Sequence, residues 1–230
     1  MITASSLKCI ECNLKSRIVQ NLTDDELSHM AEHCIIRKVS AHEKIMSEGL
    51  PATHILYLRK GLAKVHKTGP YGKDQILKIA DQGSFLGLQN IIHPTLHHYS
   101  VTTLKPSEIC FLAISVFKDF VQYNGDFAME LVDYISQEES NHFERFINLQ
   151  QKQINGRLAD ALLTFSDQIF KSQQFTLPLT KQELAELTGS TRESITRCLK
   201  TFRESNLIRT NKNTYEIIDK KRLENIALYG

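Results

Sequence analysis

The sequence predicts an α+β chain: an N-terminal antiparallel β-roll of jelly-roll type, then a long helix, then a C-terminal winged helix-turn-helix. Three observations carry this. Short β-like runs are punctuated by glycine between Ile36 and about Ile114. An amphipathic repeat follows over roughly residues 115–155. Two short helical patterns then flank a glycine turn over Thr180–Arg203, TKQELAELTGSTRESITRCLKTFR.

In chain order, residues up to Arg17 form a leader that contains Cys9-Ile10-Glu11-Cys12. Thr23 followed by Glu26 is a capping box, so a helix starts there and ends near Cys34. The runs Ile55–Leu58, Leu62–Val65 and Gln75–Ile79 read as strands, and Gly49, Gly61, Gly69, Gly72, Gly83 and Gly87 read as their turns. Over residues 115–155, Phe127, Leu131, Ile135, His142, Phe146 and Leu149 recur at threes and fours with one longer step. Such a stripe needs a cover, and a second copy of the chain is the simplest one. The middle of the repeat, Ser136 to Asn141, is polar; Glu138 and Glu139 either weaken pairing there or face solvent. A further amphipathic helix is expected over Ile154–Phe170, burying Leu158, Ala161, Leu162, Phe165 and Ile169, with Gly156 as a hinge.

In the next segment Thr180 and Glu183 form a second capping box. Gly189 ends that helix, and Ser190-Thr191 can cap the following one, with Glu193 three residues after Ser190. Ile195, Cys198, Leu199 and Phe202 take the buried side of this second helix. Leu207–Arg209 and Tyr215–Ile218 flank Asn211-Lys212-Asn213 as a hairpin, the wing, and Asp219 caps a last short helix. The expected domains are 1–125 (leader and sensing roll), 126–153 (dimerisation helix) and 154–230 (winged helix-turn-helix).

Composition bounds the function. The chain has 230 residues, 41% of them hydrophobic and 23% charged, which is globular rather than disordered. Neither a membrane-spanning run nor a signal peptide is legible, so a cytoplasmic location without membrane contact is expected. Five cysteines at irregular spacing read as reduced thiols or ligands rather than a disulfide framework. From Ile154 onward 12 Lys+Arg stand against 9 Asp+Glu, while the remainder has 16 against 17. The small basic excess therefore lies with the helix-turn-helix, as phosphate contact requires. No Ser/His/Asp order, Walker loop or HExxH pattern argues for an enzyme.

Arg192, Glu193, Thr196, Arg197, Lys200 and Arg203 face outward on the second helix. Arginine can donate twice to the acceptor edge of guanine, and a carboxylate can accept from the cytosine amino group. Arg192 and Arg197 are five residues apart, so they reach nearby parts of one groove face. Singly, each of these could be an ordinary solvated charge, and Glu193 only a cap; as a set they favour double-stranded DNA. The expected contact set is Thr180, Ser190, Thr191, Arg192, Glu193, Thr196, Arg197, Lys200 and Lys212.

The stretch Gly189–Arg197, GSTRESITR, resembles the recognition helix of the Crp/Fnr family of bacterial regulators. Glu48–Gly61, EGLPATHILYLRKG, resembles that family's cyclic-nucleotide-binding β-roll. The resemblance implies a homodimer on a palindromic site with TGTGA-like half-sites, read by Arg192, Glu193 and Arg197. It also implies RNA polymerase as a partner if the protein activates.

The effector is less legible. The family's cyclic-AMP site uses a Gly-Glu pair for the ribose and an Arg-Ser pair for the phosphate. Here the corresponding residues are Phe85-Leu86-Gly87-Leu88-Gln89 and Tyr99-Ser100. Leu88 stands where the glutamate would be and Tyr99 where the arginine would be, so tight cyclic-AMP binding is not expected. Phe85, Gly87, Leu88, Gln89, Tyr99 and Ser100 remain the candidate effector pocket. The anaerobic branch of the family holds an iron–sulfur cluster on three leader cysteines and one in the roll. Cys9, Cys12 and Cys110 resemble three of these positions; Ile18 occupies the remaining leader position and Cys34 lies one helix later. Cys9, Cys12, Cys34 and Cys110 are thus candidate metal ligands, for a cluster or zinc, or redox thiols; the alternative is free thiols with Cys110 and Cys198 in the core. His93, His97 and His98 meet no fixed ligand spacing. The rival reading of the whole chain is a ligand-binding or redox/metal-sensing module whose C-terminal domain acts through protein partners.

Overall fold

The computed structural model describes Cys12, residues 14–92 and residues 95–230. Contacts group the chain into two units, one of residues up to Thr68 with Leu77–Glu139, the other of Gly69–Ile76 with Ser140–Gly230.

The first unit opens with a 3-10 turn at Arg17–Asn21 and helix α1, Asp24–Glu32. The capping box forms as expected: the Glu26 backbone N–H donates to Thr23 Oγ1 at 3.3 Å, and Glu26 Oε2 accepts from the Thr23 N–H at 2.8 Å. The roll consists of two four-stranded antiparallel sheets. Strands β1 (Cys34–Val39), β8 (Ser107–Ala113), β3 (His54–Lys60) and β6 (Phe85–Leu86) form one, in that order. Strands β2 (Lys44–Met46), β7 (Ser100–Thr103), β4 (Ala63–Thr68) and β5 (Asp74–Ala80) form the other. Leu56, Leu58 and Ile109 from the first sheet and Val65, Ala80 and Val101 from the second share one buried cluster, so the two sheets face each other across it.

A second cluster lies against the helices. Leu27 and Met30 of α1 meet Phe117 and Phe120 of α2 (Ile114–Tyr123) and Phe127 and Leu131 of α3 (Gly125–Gln151). Phe117 and Phe127 are fully buried with ring centroids 5.2 Å apart, the kind of site where truncation to Ala costs about 3–5 kcal/mol. The predicted single helix over 115–155 is therefore two. Asn124 adopts an extended conformation after α2, and its Oδ1 accepts the Phe127 N–H at 3.0 Å, starting α3 afresh.

The predicted stripe on α3 also divides. Phe127 and Leu131 fill their own unit's core, while the exposed apolar side chains are Met129, Val132, Ile135, Phe143, Phe146 and Ile147. One helix thus carries two apolar faces.

In the second unit, α4 (Ile154–Leu163) runs into a π-helical turn, Thr164–Ile169, where the Phe170 N–H donates to the Phe165 carbonyl at 2.9 Å. Gly156, the expected hinge, is part of the helix. It lies buried inside α4, and a Cβ there would sit 2.3 Å from the Gly230 carbonyl oxygen, so close backbone approach demands glycine. The helix-turn-helix is α5 (Lys181–Thr188) and α6 (Arg192–Glu204). A three-stranded antiparallel sheet, β10 (Ile208–Asn211), β11 (Thr214–Ile217) and β9 (Gln174–Thr176), follows beside them, and α7 spans Lys220–Tyr229.

Candidate nucleic-acid interface and effector pocket

The capping box at Thr180 forms: the Glu183 N–H donates to Thr180 Oγ1 at 3.2 Å and Glu183 Oε2 accepts the Thr180 N–H at 2.9 Å. Gly189 ends α5 with φ +60°, the left-handed turn that glycine adopts without penalty. The Ser190 N–H is spent on the Ala185 carbonyl at 2.9 Å, so Ser190 belongs to this turn. Arg145 of α3 donates to the Leu187 carbonyl at 2.7 Å and holds the end of α5 from the side.

Thr191, not Ser190, caps α6. Its Oγ1 accepts the Ser194 N–H at 3.2 Å, so the expected second capping box with Glu193 is replaced by a Thr191–Ser194 pair. The shift of one position moves Glu193 from the third to the second helical position, still in the first turn, where its charge suits the helix N-terminus, with its side chain exposed. Ile195, Cys198, Leu199 and Phe202 are buried as expected. Burial raises the Cys198 thiol pKa, and its Sγ donates to Asn155 Oδ1 at 2.8 Å.

Arg192, Glu193, Thr196, Arg197, Lys200 and Arg203 are all exposed on the opposite side of α6. Arg197 Nη2 reaches Ser194 Oγ at 3.4 Å, and Lys200 pairs with Glu204 at 3.7 Å. Thr180 and Thr191 are exposed and Ser190 half-buried. The wing forms as a two-residue hairpin turn at Lys212-Asn213, with Lys212 at φ +52° and exposed. A cavity of about 250 Å³ lies between α6 and the wing, lined by Lys181, Thr196, Leu199, Arg203, Thr210, Lys212 and Tyr215. It joins Thr196 and Lys212 of the expected set. It adds Lys181 and Arg203, whose charge was legible but whose meeting across 22 residues was not.

Within the roll, Gly87, Gln89 and Tyr99 come together. The Gly87 N–H donates to the Tyr99 hydroxyl at 2.9 Å, and that hydroxyl donates to Gln89 Oε1 at 3.3 Å. Burial raises the Tyr99 pKa. Ser100 is buried and its Oγ accepts the Glu48 N–H at 3.0 Å. Leu88 and Phe85 instead join the cluster against the helices, where Phe85 donates its N–H to the Tyr134 hydroxyl at 2.9 Å. The nearby Lys67 ammonium is paired with the Glu48 carboxylate and also donates to the His98 carbonyl at 2.7 Å.

Cys12, Cys34 and Cys110 line a single apolar cavity of about 50 Å³ with Tyr57 and Arg59. Arg59, at 5% exposure, donates from Nη2 to Cys12 Sγ at 3.3 Å and lies 3.6 Å from the Glu108 carboxylate. Burial works against its charge, but Cys12, Cys110 and Glu108 leave its pKa raised. Burial pushes Tyr57 up to about 12. The three sulfurs do not lie within 4.8 Å of one another among the described residues, and Cys9 and His93 fall outside those residues. A four-iron cluster takes four thiolates, and three of the four candidate cysteines lie among the described residues, at this cavity.

An exposed cationic helix face beside a basic wing defines a helix-turn-helix DNA-binding protein. The comparisons agree. Residues 36–124 match the cyclic nucleotide-binding domain model, and residues 156–226 match the Crp-like helix-turn-helix domain model. The cAMP-activated global transcriptional regulator CRP of Salmonella typhimurium is 26% identical over 196 residues, covering 84% of this chain and 93% of its own. The protein of the same description from Haemophilus influenzae is 25% identical over 195 residues, covering 83% and 87%. Among solved structures, FixK2 of Bradyrhizobium japonicum superposes with a TM-score of 0.76 at 18% identity, covering 84% of this chain and 96% of its own. A CRP-family transcriptional regulator of Thermus thermophilus gives 0.73 at 20%, covering 84% and 97%. The chain belongs to the Crp/Fnr family of transcription regulators. No described helix is long and apolar enough to cross a membrane.

Proposed function

We propose that this regulator binds a palindromic DNA site as a homodimer, reading TGTGA-like half-sites with Arg192, Glu193 and Arg197 of α6. The observation that carries it is the exposed Arg192/Glu193/Arg197 face on a helix whose opposite side is fully buried. Thr180, Ser190, Thr191, Thr196, Lys200 and Lys212 contact the flanking phosphates and sugars from the two helix starts and the wing. The homodimer closes over the exposed apolar face of α3, and the two-fold axis it creates is the one a palindrome requires. The domains work as 1–125 for sensing, 126–153 for pairing and 154–230 for DNA, with RNA polymerase as partner where the site activates.

Cyclic AMP is not the effector in this reading. The candidate pocket of Phe85, Gly87, Leu88, Gln89, Tyr99 and Ser100 offers no cation for a phosphate: its Tyr99 is bonded within the pocket, and the neighbouring Lys67 is paired with Glu48. Fluorescence anisotropy on a labelled palindromic duplex, with a scrambled duplex as control, tests the DNA reading. Preferential, salt-sensitive binding to the palindrome supports it; equal binding to both refutes it.

The Cys12–Arg59 contact favours a second reading for the signal. Cys12, Cys34 and Cys110 share one cavity with a buried guanidinium, so thiol modification or metal capture there is sensed by the roll. Iron and zinc assay of anaerobically purified protein, with thiol titration before and after mild oxidation, tests it. Metal-free protein whose thiols do not change on oxidation would remove it.

A further inference from the structure

The last turn of α1 carries His29 and Glu32, and His33 caps it. One ligand atom from each of the three lies within 4.8 Å of the others, and all three side chains are exposed. Two histidines four apart on one helix face present their rings one above the other, and here the ring centroids are 4.6 Å apart. We infer that His29, Glu32 and His33 form a binding site for a divalent transition-metal ion of the nickel, copper or zinc type.

Four features support this beyond proximity. First, His33 Nδ1 bonds the His29 backbone carbonyl at 2.9 Å. That bond makes Nδ1 the protonated nitrogen and leaves the Nε2 lone pair for a metal, the same outer contact that orients metal-bound histidines. Second, the His29 ring packs edge-on to Phe120, at 6.2 Å, so it is held from the core side. Third, the site lies at a helix C-terminus, whose carbonyl dipoles favour a cation. Fourth, the helix is fixed: a capping box starts it, Leu27 and Met30 anchor it in the core, and Asn124 Nδ2 donates to Glu26 Oε1 at 3.0 Å.

Ligands on one ion stand about 3 Å apart for metal–ligand bonds near 2.1 Å, so a modest rotation of the Glu32 and His29 side chains closes the set. Two imidazoles and one carboxylate select first-row transition ions over magnesium or calcium. The remaining coordination positions face solvent, where water or a second ligand completes them.

Titration calorimetry of the full chain with NiCl₂ in the presence of a phosphine reductant tests the site. The expected result is a saturable site that is lost in His29→Ala and in His33→Ala, weakened in Glu32→Gln, and retained both in Cys12→Ser, which removes a thiol of the separate cysteine cavity, and in the control His98→Ala, which removes another exposed histidine. A nickel-induced rise in melting temperature should appear in the wild type and vanish in the two histidine variants, each compared with its own metal-free melting temperature. Unchanged binding in both histidine variants, or no saturable binding at millimolar nickel, would overturn the inference.

Discussion

The backbone N–H of Gly87 and the hydroxyl of Tyr99 are joined directly, 2.9 Å apart, in the buried part of the roll. The resemblance to the Crp/Fnr family gives the Tyr99 position to a phosphate-binding arginine, and here a phenol stands there with its oxygen already engaged. Tyr99→Phe leaves the buried Gly87 N–H without this acceptor, so it should destabilise the protein by about 1–3 kcal/mol. Urea unfolding measures this; an unchanged midpoint would show that the bond carries no stability.

Cyclic AMP should produce no saturable heat in titration calorimetry and no shift in melting temperature. A micromolar dissociation constant would contradict the reading of the pocket, because it would require a cation that Lys67, paired with Glu48, does not offer.

Glu26 gives a pH dependence with a defined sign. Asn124 and the Thr23 backbone N–H both donate to its carboxylate and lower its pKa below the ordinary 4.5. A depressed carboxyl pKa contributes stability that is complete above pH 4.5 and is lost as pH falls through the lower, folded-state value. Gln keeps a capping oxygen and loses only the charge, so Glu26→Gln should lower stability at pH 7 by about 0.3–1 kcal/mol, the scale of a carboxylate in the first turn of a helix. The difference from wild type should shrink on acidification in chemical denaturation at graded pH. A difference that grows toward low pH would have the wrong sign.

The exposed apolar face of α3 includes Phe143 at 63% and Phe146 at 61% exposure. A Phe143→Asp/Phe146→Asp double variant should sediment as a monomer and lose most of its affinity for a palindromic duplex, while its circular dichroism stays that of the wild type. Sedimentation velocity at micromolar protein decides it. A variant that remains dimeric would place the pairing surface elsewhere.

Gly189 sits at φ +60° with Leu149 Cδ2 3.3 Å from where a Cβ would be. Gly189→Ala should cost about 1–2 kcal/mol through left-handed strain alone, and more if Leu149 cannot give. Thermal unfolding reads this directly.

Local signals were legible where neighbours in sequence are neighbours in space. The Thr23/Glu26 and Thr180/Glu183 boxes, the Gly189 turn, the buried side of α6 and the wing turn all form where the sequence places them. Of the pair Ser190-Thr191 expected to cap α6, Thr191 does so and the box from Ser190 to Glu193 does not form, because Ser190 gives its N–H to Ala185, a choice that spacing alone cannot make. Distant contacts were hidden. Gly156 looked like a hinge because nothing in its vicinity announces the Gly230 carbonyl 2.3 Å from its missing Cβ. Apolar period could not say which α3 residues face the core, since Phe127 and Met129 both satisfy a helical repeat. Arg59, just past the expected strand Ile55–Leu58, lies buried against Cys12, a contact across 47 positions that no local pattern announces.

The central claim is base reading by α6, and one comparison tests it most directly: the affinities of wild type, Arg192→Ala and Arg197→Ala for a TGTGA-type palindrome and for its scrambled counterpart. Both arginines are exposed and outside the core, so the variants should fold as the wild type does. Each should lose about 1–3 kcal/mol on the palindrome and little on the scrambled duplex, narrowing the ratio between them. A wild-type ratio in either variant would contradict the role assigned to that arginine.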